Sequence, residues 1–198
     1  MKIAIFGDSI TAGWVENRVS FVLKEKLVKQ LEKMNLKKVQ VSLFGVPGDD
    51  CLLGMKRIDE VEKSHADLIF VFFGANDASK HRNVSEEIFQ DTLLEMALKL
   101  GNEKTIFLTP PYYDEVAGDE KRSNERVEKY RIRTFLAAQQ AESEVIDLYK
   151  QMTNYSAPEE FLQDDGLHFS EEGYDLLAGM IAAKVRERVL KKMKRSKV

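Results

Sequence analysis

The sequence has no apolar run approaching the roughly 20 residues that a membrane-spanning helix needs, so no integral membrane segment is expected. A signal peptide is not expected either. Between Lys2 and Asp8 only residues 3–6 are apolar, too few for the hydrophobic region of a leader. Charge of one sign is also missing: 30 lysines and arginines nearly balance 33 aspartates and glutamates, leaving a formal net charge of −3. Such a balance supplies no broad attraction for nucleic acid or an anionic membrane, and points instead to a small molecule or another protein as partner. Cys51 is the lone cysteine, which rules out an internal disulfide and makes a reducing, cytoplasmic location the simpler expectation. Internal repeats, low-complexity linkers and shifts of composition are absent, so residues 1–198 are expected to form one domain. A homo-oligomer is compatible with all of this.

What the sequence does have is alternation. Runs rich in β-branched and aromatic residues occupy residues 2–6, 39–44, 68–73, 105–108 and 145–148, mostly apolar on successive positions, as in strands buried on both faces. Segments with helical spacing separate them. Leu23, Leu27, Leu31 and Met34 mark one, and Leu93, Ala97 and Leu100 mark another that stops at Gly101. The last opens with Ser170 as cap and Glu171 and Glu172 in the first turn, carries Tyr174, Leu177, Ile181 and Val185 on one face, and ends in a basic tail from Lys191. Strand and helix in alternation predict an α/β three-layer α/β/α sandwich around a mostly parallel five-stranded sheet. Residues 110–124 form the longest break in the pattern and are expected to lie beside the site.

Ligands of an open parallel sheet bind at the carboxyl ends of its strands, and here those ends are polar. Gly7-Asp8-Ser9 follows the first strand, Gly45 to Asp50 the second, and Gly74-Ala75-Asn76-Asp77 the third, while Asp164-Asp165-Gly166-Leu167-His168 precedes the last helix. Acyl transfer needs a hydroxyl nucleophile, a histidine to take its proton, a carboxylate to orient that histidine, and donors for the oxyanion. Each need has a candidate in those turns. Of the competing histidines, His65 precedes the third strand and is expected at the surface, His81 falls in the charged loop Lys80-His81-Arg82, and Asp164 is the alternative to Asp165. Asp49 and Asp50 are read as a helix start, since no further ligand stands at metal-binding spacing around them.

Gly7-Asp8-Ser9-Ile10, Gly45, Gly74-Ala75-Asn76-Asp77 and Asp165-Gly166-Leu167-His168 together resemble the four blocks of the SGNH hydrolases, the GDSL esterase and lipase superfamily. The blocks stand in the family's order and extend through nearly the whole chain. The resemblance implies a flavodoxin-like sandwich and a carboxylic ester hydrolase that works without metal or cofactor. It implies Ser9 as nucleophile, His168 as base and Asp165 as its orienting carboxylate. The backbone N–H groups of Ser9 and Gly45 and the amide of Asn76 would form the oxyanion hole. Two positions depart from the family's pattern, Leu43 where an asparagine is common and Phe169 where a proline commonly follows the histidine. Trp14, Tyr112 and Tyr113 are candidates to line a substrate cleft, and short acyl esters are the expected substrates, with sugar O-acetyl esters, lysophospholipids and thioesters as alternatives. Outside this class, a non-catalytic binding module would not require all of these groups in catalytic places, and a flavin or nucleotide binder would need a phosphate cradle that the first strand lacks.

Overall fold

The computed structural model describes residues 1–195. Five parallel strands make the sheet: β1 (Lys2–Gly7), β4 (Gln40–Gly45), β5 (Leu68–Phe72), β6 (Thr105–Leu108) and β7 (Glu144–Ile146). The order across it is β4-β1-β5-β6-β7. Two short antiparallel strands, β2 (Trp14–Val15) and β3 (Arg18–Val19), form a separate hairpin.

Residues alternate between the two faces of β1, which explains why its apolar run is continuous. Ile3 and Ile5 join one core cluster, with Leu23, Leu27 and Leu31 of α1 (Val22–Lys33) and Leu177, Ile181 and Val185 of α7 (Glu171–Arg195). Ala4 and Phe6 join the other, with α2 (Cys51–Lys56), α3 (Ile58–Glu62), α4 (Glu86–Leu100) and α5 (Asn124–Gln140). The result is a flavodoxin-like α/β/α sandwich. Each fully buried large aliphatic or aromatic side chain contributes roughly 1.5–3 kcal/mol, and both faces of the sheet are lined with them.

Local signals set the helix ends. Asp50, Ser85 and Ser123 each accept a backbone N–H three residues on, at 3.0, 3.2 and 3.4 Å, and Ser170 Oγ accepts from Gly173 N at 3.2 Å. Gly101 ends α4 with φ of 98°, a conformation that favours glycine. The last strand is shorter than the run at residues 145–148 predicts, because Asp147 leaves the sheet to cap α6 (Leu148–Thr153) and accepts from Lys150 N at 3.2 Å. The hairpin was not expected. Its turn, Glu16 and Asn17, takes φ of 50° and 61°, the left-handed pair that a two-residue hairpin loop requires. In the basic tail, Lys191 pairs with Glu187 at 2.5 Å and Glu144 at 3.4 Å, and residues 196–198 lie outside the described residues.

Candidate active site

The sheet reverses its order at β1 and β5, and the turns after those two strands meet in the crevice where ligands of such sheets bind. Ser9 lies two residues beyond the end of β1 and is 6% exposed. The turn is closed on itself: Asp8 Oδ1 accepts from Ile10 N at 2.9 Å, Ala12 N donates to Asp8 O at 3.0 Å, and Trp14 N donates to Ser9 O at 3.0 Å. The N–H of Ser9 takes no part in these bonds. Gly7 has no room for a side chain, since a Cβ there would lie 2.3 Å from both Phe72 O and Thr11 Oγ1.

His168 arrives from 159 positions away, and its Nε2 lies 2.9 Å from Ser9 Oγ. Its Nδ1 lies 2.6 Å from Asp165 Oδ2, while Asp165 Oδ1 accepts the backbone N–H groups of Leu167 and His168, each at 2.9 Å. Partial burial pushes the Asp165 carboxyl up, but these three bonds outweigh it and hold it well below the usual carboxylate range. An ionised Asp165 keeps the proton on Nδ1, so Nε2 turns a lone pair to the serine hydroxyl. Gln163 ties this segment to the hairpin: its Nε2 donates to Phe169 O at 2.8 Å and Trp14 O at 3.0 Å. Phe169 is fully buried, its ring 5.7 Å from that of Tyr174, whose hydroxyl donates to Ile10 O at 3.2 Å. The departure from proline therefore places a core anchor beside the histidine.

Gly45, the last residue of β4, sits against the turn that follows Ser9. A Cβ on it would lie 2.2 Å from Ala12 N. Val46 N donates to Gly7 O at 3.2 Å, which leaves the N–H of Gly45 out of the pairing between β4 and β1. Asn76 is 8% exposed; its Nδ2 donates to Asp49 O at 2.9 Å and its Oδ1 accepts from Arg122 Nη2 at 3.2 Å. Two other arginines brace these turns. Arg57 donates to Gly7 O at 2.7 Å, Phe44 O at 3.0 Å and Asp49 Oδ2 at 2.6 Å, and Arg82 donates to Gly48 O at 2.6 Å and Asp50 Oδ2 at 3.2 Å. Sequence reasoning missed all three. Leu43, the other departure, packs against the core cluster of α1 and α7.

Beneath the site are two fully enclosed carboxyls. Burial pushes Asp8 up to about 7, and the charge of Asp77 adds to the rise. Burial likewise pushes Asp77 up to about 6, although its Oδ1 and Oδ2 accept from Cys51 N and Gly74 N, each at 2.9 Å. Burial and the same carboxylate push the Cys51 thiol far up, so it is not a nucleophile. Among the described residues, no three His, Cys, Asp or Glu side chains converge as metal ligands.

The three aromatic candidates separate. The ring of Trp14 lies 5.8 Å from that of His168, tilted by 38°, which puts it at the site. Tyr112 is partly buried and packs against the core cluster of α1 and α7. Tyr113, expected to line the cleft, is 2% exposed and belongs to the opposite core cluster. Its hydroxyl donates to Asp119 O at 2.8 Å, so it holds the 110–124 loop together instead of facing a substrate. His65, His81 and Asp164 are exposed.

Comparison with known proteins agrees with the fold and the motifs. The model of the GDSL-like lipase/acylhydrolase family matches residues 5–176, and the chain belongs to that family. It is a carboxylic ester hydrolase. A GDSL esterase/lipase of Arabidopsis thaliana is 26% identical, with 94% of this chain and 86% of that protein covered. The crystal structure of the lipase/acylhydrolase from Enterococcus faecalis superposes with a TM-score of 0.91 at 41% identity, covering 94% of this chain and 96% of that one. The acetylxylan esterase Axe2 from Geobacillus stearothermophilus shares the fold, with a TM-score of 0.74, 20% identity and 93% coverage of both chains. No helix among the described residues is long and apolar enough to cross a membrane.

Proposed function

We propose that this chain is a one-domain serine esterase that cleaves short-chain carboxylic esters through an acyl-enzyme on Ser9. The observation that carries the reading is the unbroken chain of contacts from Ser9 Oγ to His168 Nε2, 2.9 Å, and from His168 Nδ1 to Asp165 Oδ2, 2.6 Å. Ser9 Oγ attacks the ester carbonyl carbon as Nε2 takes the hydroxyl proton, and Asp165 steadies the imidazolium that results. The carbonyl oxygen becomes an oxyanion held by the N–H groups of Ser9 and Gly45 and by the second N–H of the Asn76 amide. Collapse of the tetrahedral intermediate expels the alcohol, which leaves with the proton from His168. Water then gives its proton to His168 and attacks the acyl-serine carbonyl, and the acid departs as Ser9 recovers its hydrogen.

A cavity of about 220 Å³, bordered by Ala12, Val19, Phe21, Leu43 and Gly45 and by the polar Ser20 and Lys24, supports the preference for short acyl chains. It shares Gly45 with the oxyanion hole and is smaller than the 300–1,000 Å³ or so that drug-sized ligands occupy. Partly exposed Trp14, beside His168, supports a sugar O-acetyl ester as a second reading, because an indole face can stack on a pyranose.

Intact mass after exposure to a fluorophosphonate, with peptide mapping and Ser9→Ala as control, tests the nucleophile. The expected result is one adduct on Ser9 that the variant lacks; no adduct on folded wild-type protein overturns the assignment. Nitrophenyl esters of increasing acyl length and an acetylated xylo-oligosaccharide then test the substrate. Rates that rise steadily toward long acyl groups would refute the short-chain preference.

A further inference from the structure

An amide side chain has two nearly equal ends, and only one of them can stabilise an oxyanion. If the Asn76 group turned by half a revolution, its carbonyl would replace its N–H at the site, repelling the charge it should hold. The orientation is fixed from both sides. Nδ2 faces the carbonyl of Asp49 at 2.9 Å and Oδ1 faces Nη2 of Arg122 at 3.2 Å. The turned amide would set carbonyl against carbonyl and N–H against N–H. Asp49 O alone is a weak restraint, since the amide can rotate away and leave one hydrogen bond. Arg122 is a strong one, because its Nε also donates to Ala75 O at 2.8 Å, so one rigid guanidinium grips the backbone and the side chain of consecutive residues.

The guanidinium is itself held. It is 11% exposed, lies 5.9 Å from the centre of the Tyr113 ring, and has Asp119 Oδ1 3.8 Å away. Tyr113 and Asp119 are joined by their own hydrogen bond, so the 110–124 loop is a mount for this one cation. A positive charge on the amide oxygen also draws electron density from the nitrogen and makes its remaining N–H a better donor.

We propose that Arg122 is a positioning residue for catalysis, acting through Asn76 by locking its amide with the N–H end toward the oxyanion. The proposal rests on the reading of Asn76 as an oxyanion donor, and a double-mutant cycle separates the two. Turnover of 4-nitrophenyl acetate is measured for wild type, Asn76→Ala, Arg122→Ala and the double variant, with thermal midpoints to establish folding. Loss of a whole donor costs about a hundred- to a thousand-fold in kcat, so loss of its restraint is expected to cost roughly 10- to 100-fold, with KM changed by no more than a factor of about two. In the Asn76→Ala background the Arg122 substitution should cost almost nothing further, which a general loss of structure would not produce.

Arg122→Lys keeps the charge but lacks the fork, and is expected to fall between wild type and Arg122→Ala. If Arg122→Ala does not fold, the same cycle is run with Lys. Wild-type turnover in Asn76→Ala would sink the oxyanion reading itself. With Asn76→Ala impaired, wild-type kcat in the Arg122 variants, or an equal loss in both backgrounds, would overturn the role of Arg122 alone.

Discussion

The two halves of this site are built in opposite ways. Ser9, Gly45 and Asn76 stand at or just beyond the ends of β1, β4 and β5, and those strand ends are locked by partners distant in sequence: Arg57 reaches Gly7 across 50 positions and Arg122 reaches Asn76 across 46. Asp165 and His168 lie within one short loop, and Asp165 is fixed by groups no more than three positions away. The Asp165 side chain is 49% exposed and that of His168 16%, whereas Ser9 and Asn76 are at most 8% exposed. On the mechanism proposed above, the buried half carries the oxyanion donors, which must not move, and its burial supplies that rigidity. A base that must receive and return a proton needs only its ring angle fixed, which a local loop can do.

Substitution should expose that difference, with the largest effect expected where the loop is touched. Asp165→Asn can keep the bonds to Leu167 N and His168 N through its amide oxygen. Its NH2, however, would face Nδ1 and favour the tautomer whose Nε2 carries hydrogen, which cannot accept from Ser9. Turnover should drop by roughly a thousand- to ten-thousand-fold while the thermal midpoint stays near wild type, since the side chain is half in solvent. Ester kinetics beside a melting curve would decide it: a variant that keeps its activity, or one that loses stability in step with it, would break the contrast.

The buried half should respond on both readouts at once. Gly45→Ala forces a Cβ to within 2.2 Å of Ala12 N, so either β4 or the turn after Ser9 has to shift. Activity should fall by about a hundredfold as the proposed oxyanion donor is displaced, and stability by about 1–3 kcal/mol from the overpacking. Loss of activity with an unchanged unfolding free energy would mean that the two turns are less tightly joined than the packing implies.

This division also decides what could be seen in the sequence. Ser9, Asp165 and His168 were legible because each sits in a motif whose shape is made locally, by Asp8 holding Ile10 and Asp165 holding Leu167 and His168. The sheet was legible because strands covered on both faces are apolar at every position, as β5 is throughout. Arg57, Arg82 and Arg122 were not, because nothing local marks three arginines among 30 basic residues when the groups they donate to lie 8 to 50 positions away. Tyr112 and Tyr113 were read as a pair, yet adjacent residues of an extended segment point to opposite sides, and only the fold determines which one turns into the core. The hairpin was hidden by its strands of two residues each.

Stability as a function of pH offers the finest separation of the two halves. Asp8 has a folded pKa raised from 3.8 to about 7, so between those values the native state holds a proton that the unfolded chain has released, and its contribution to stability declines as pH climbs through that window. Asp77 shifts in the same direction, up to about 6. Asp165 has the opposite sign: its folded pKa is depressed, so what it contributes is present above about pH 4 and lost on acidification. Asp8→Asn mimics the protonated acid and retains an oxygen for Ile10 N. Its stability should match wild type near pH 3 and exceed it increasingly toward pH 7, the gap growing by no more than about 1.4 kcal/mol per pH unit and levelling off above neutrality. A gap independent of pH would show that Asp8 is ionised throughout, and that the charge beneath the serine is carried by the buried half at no cost in stability.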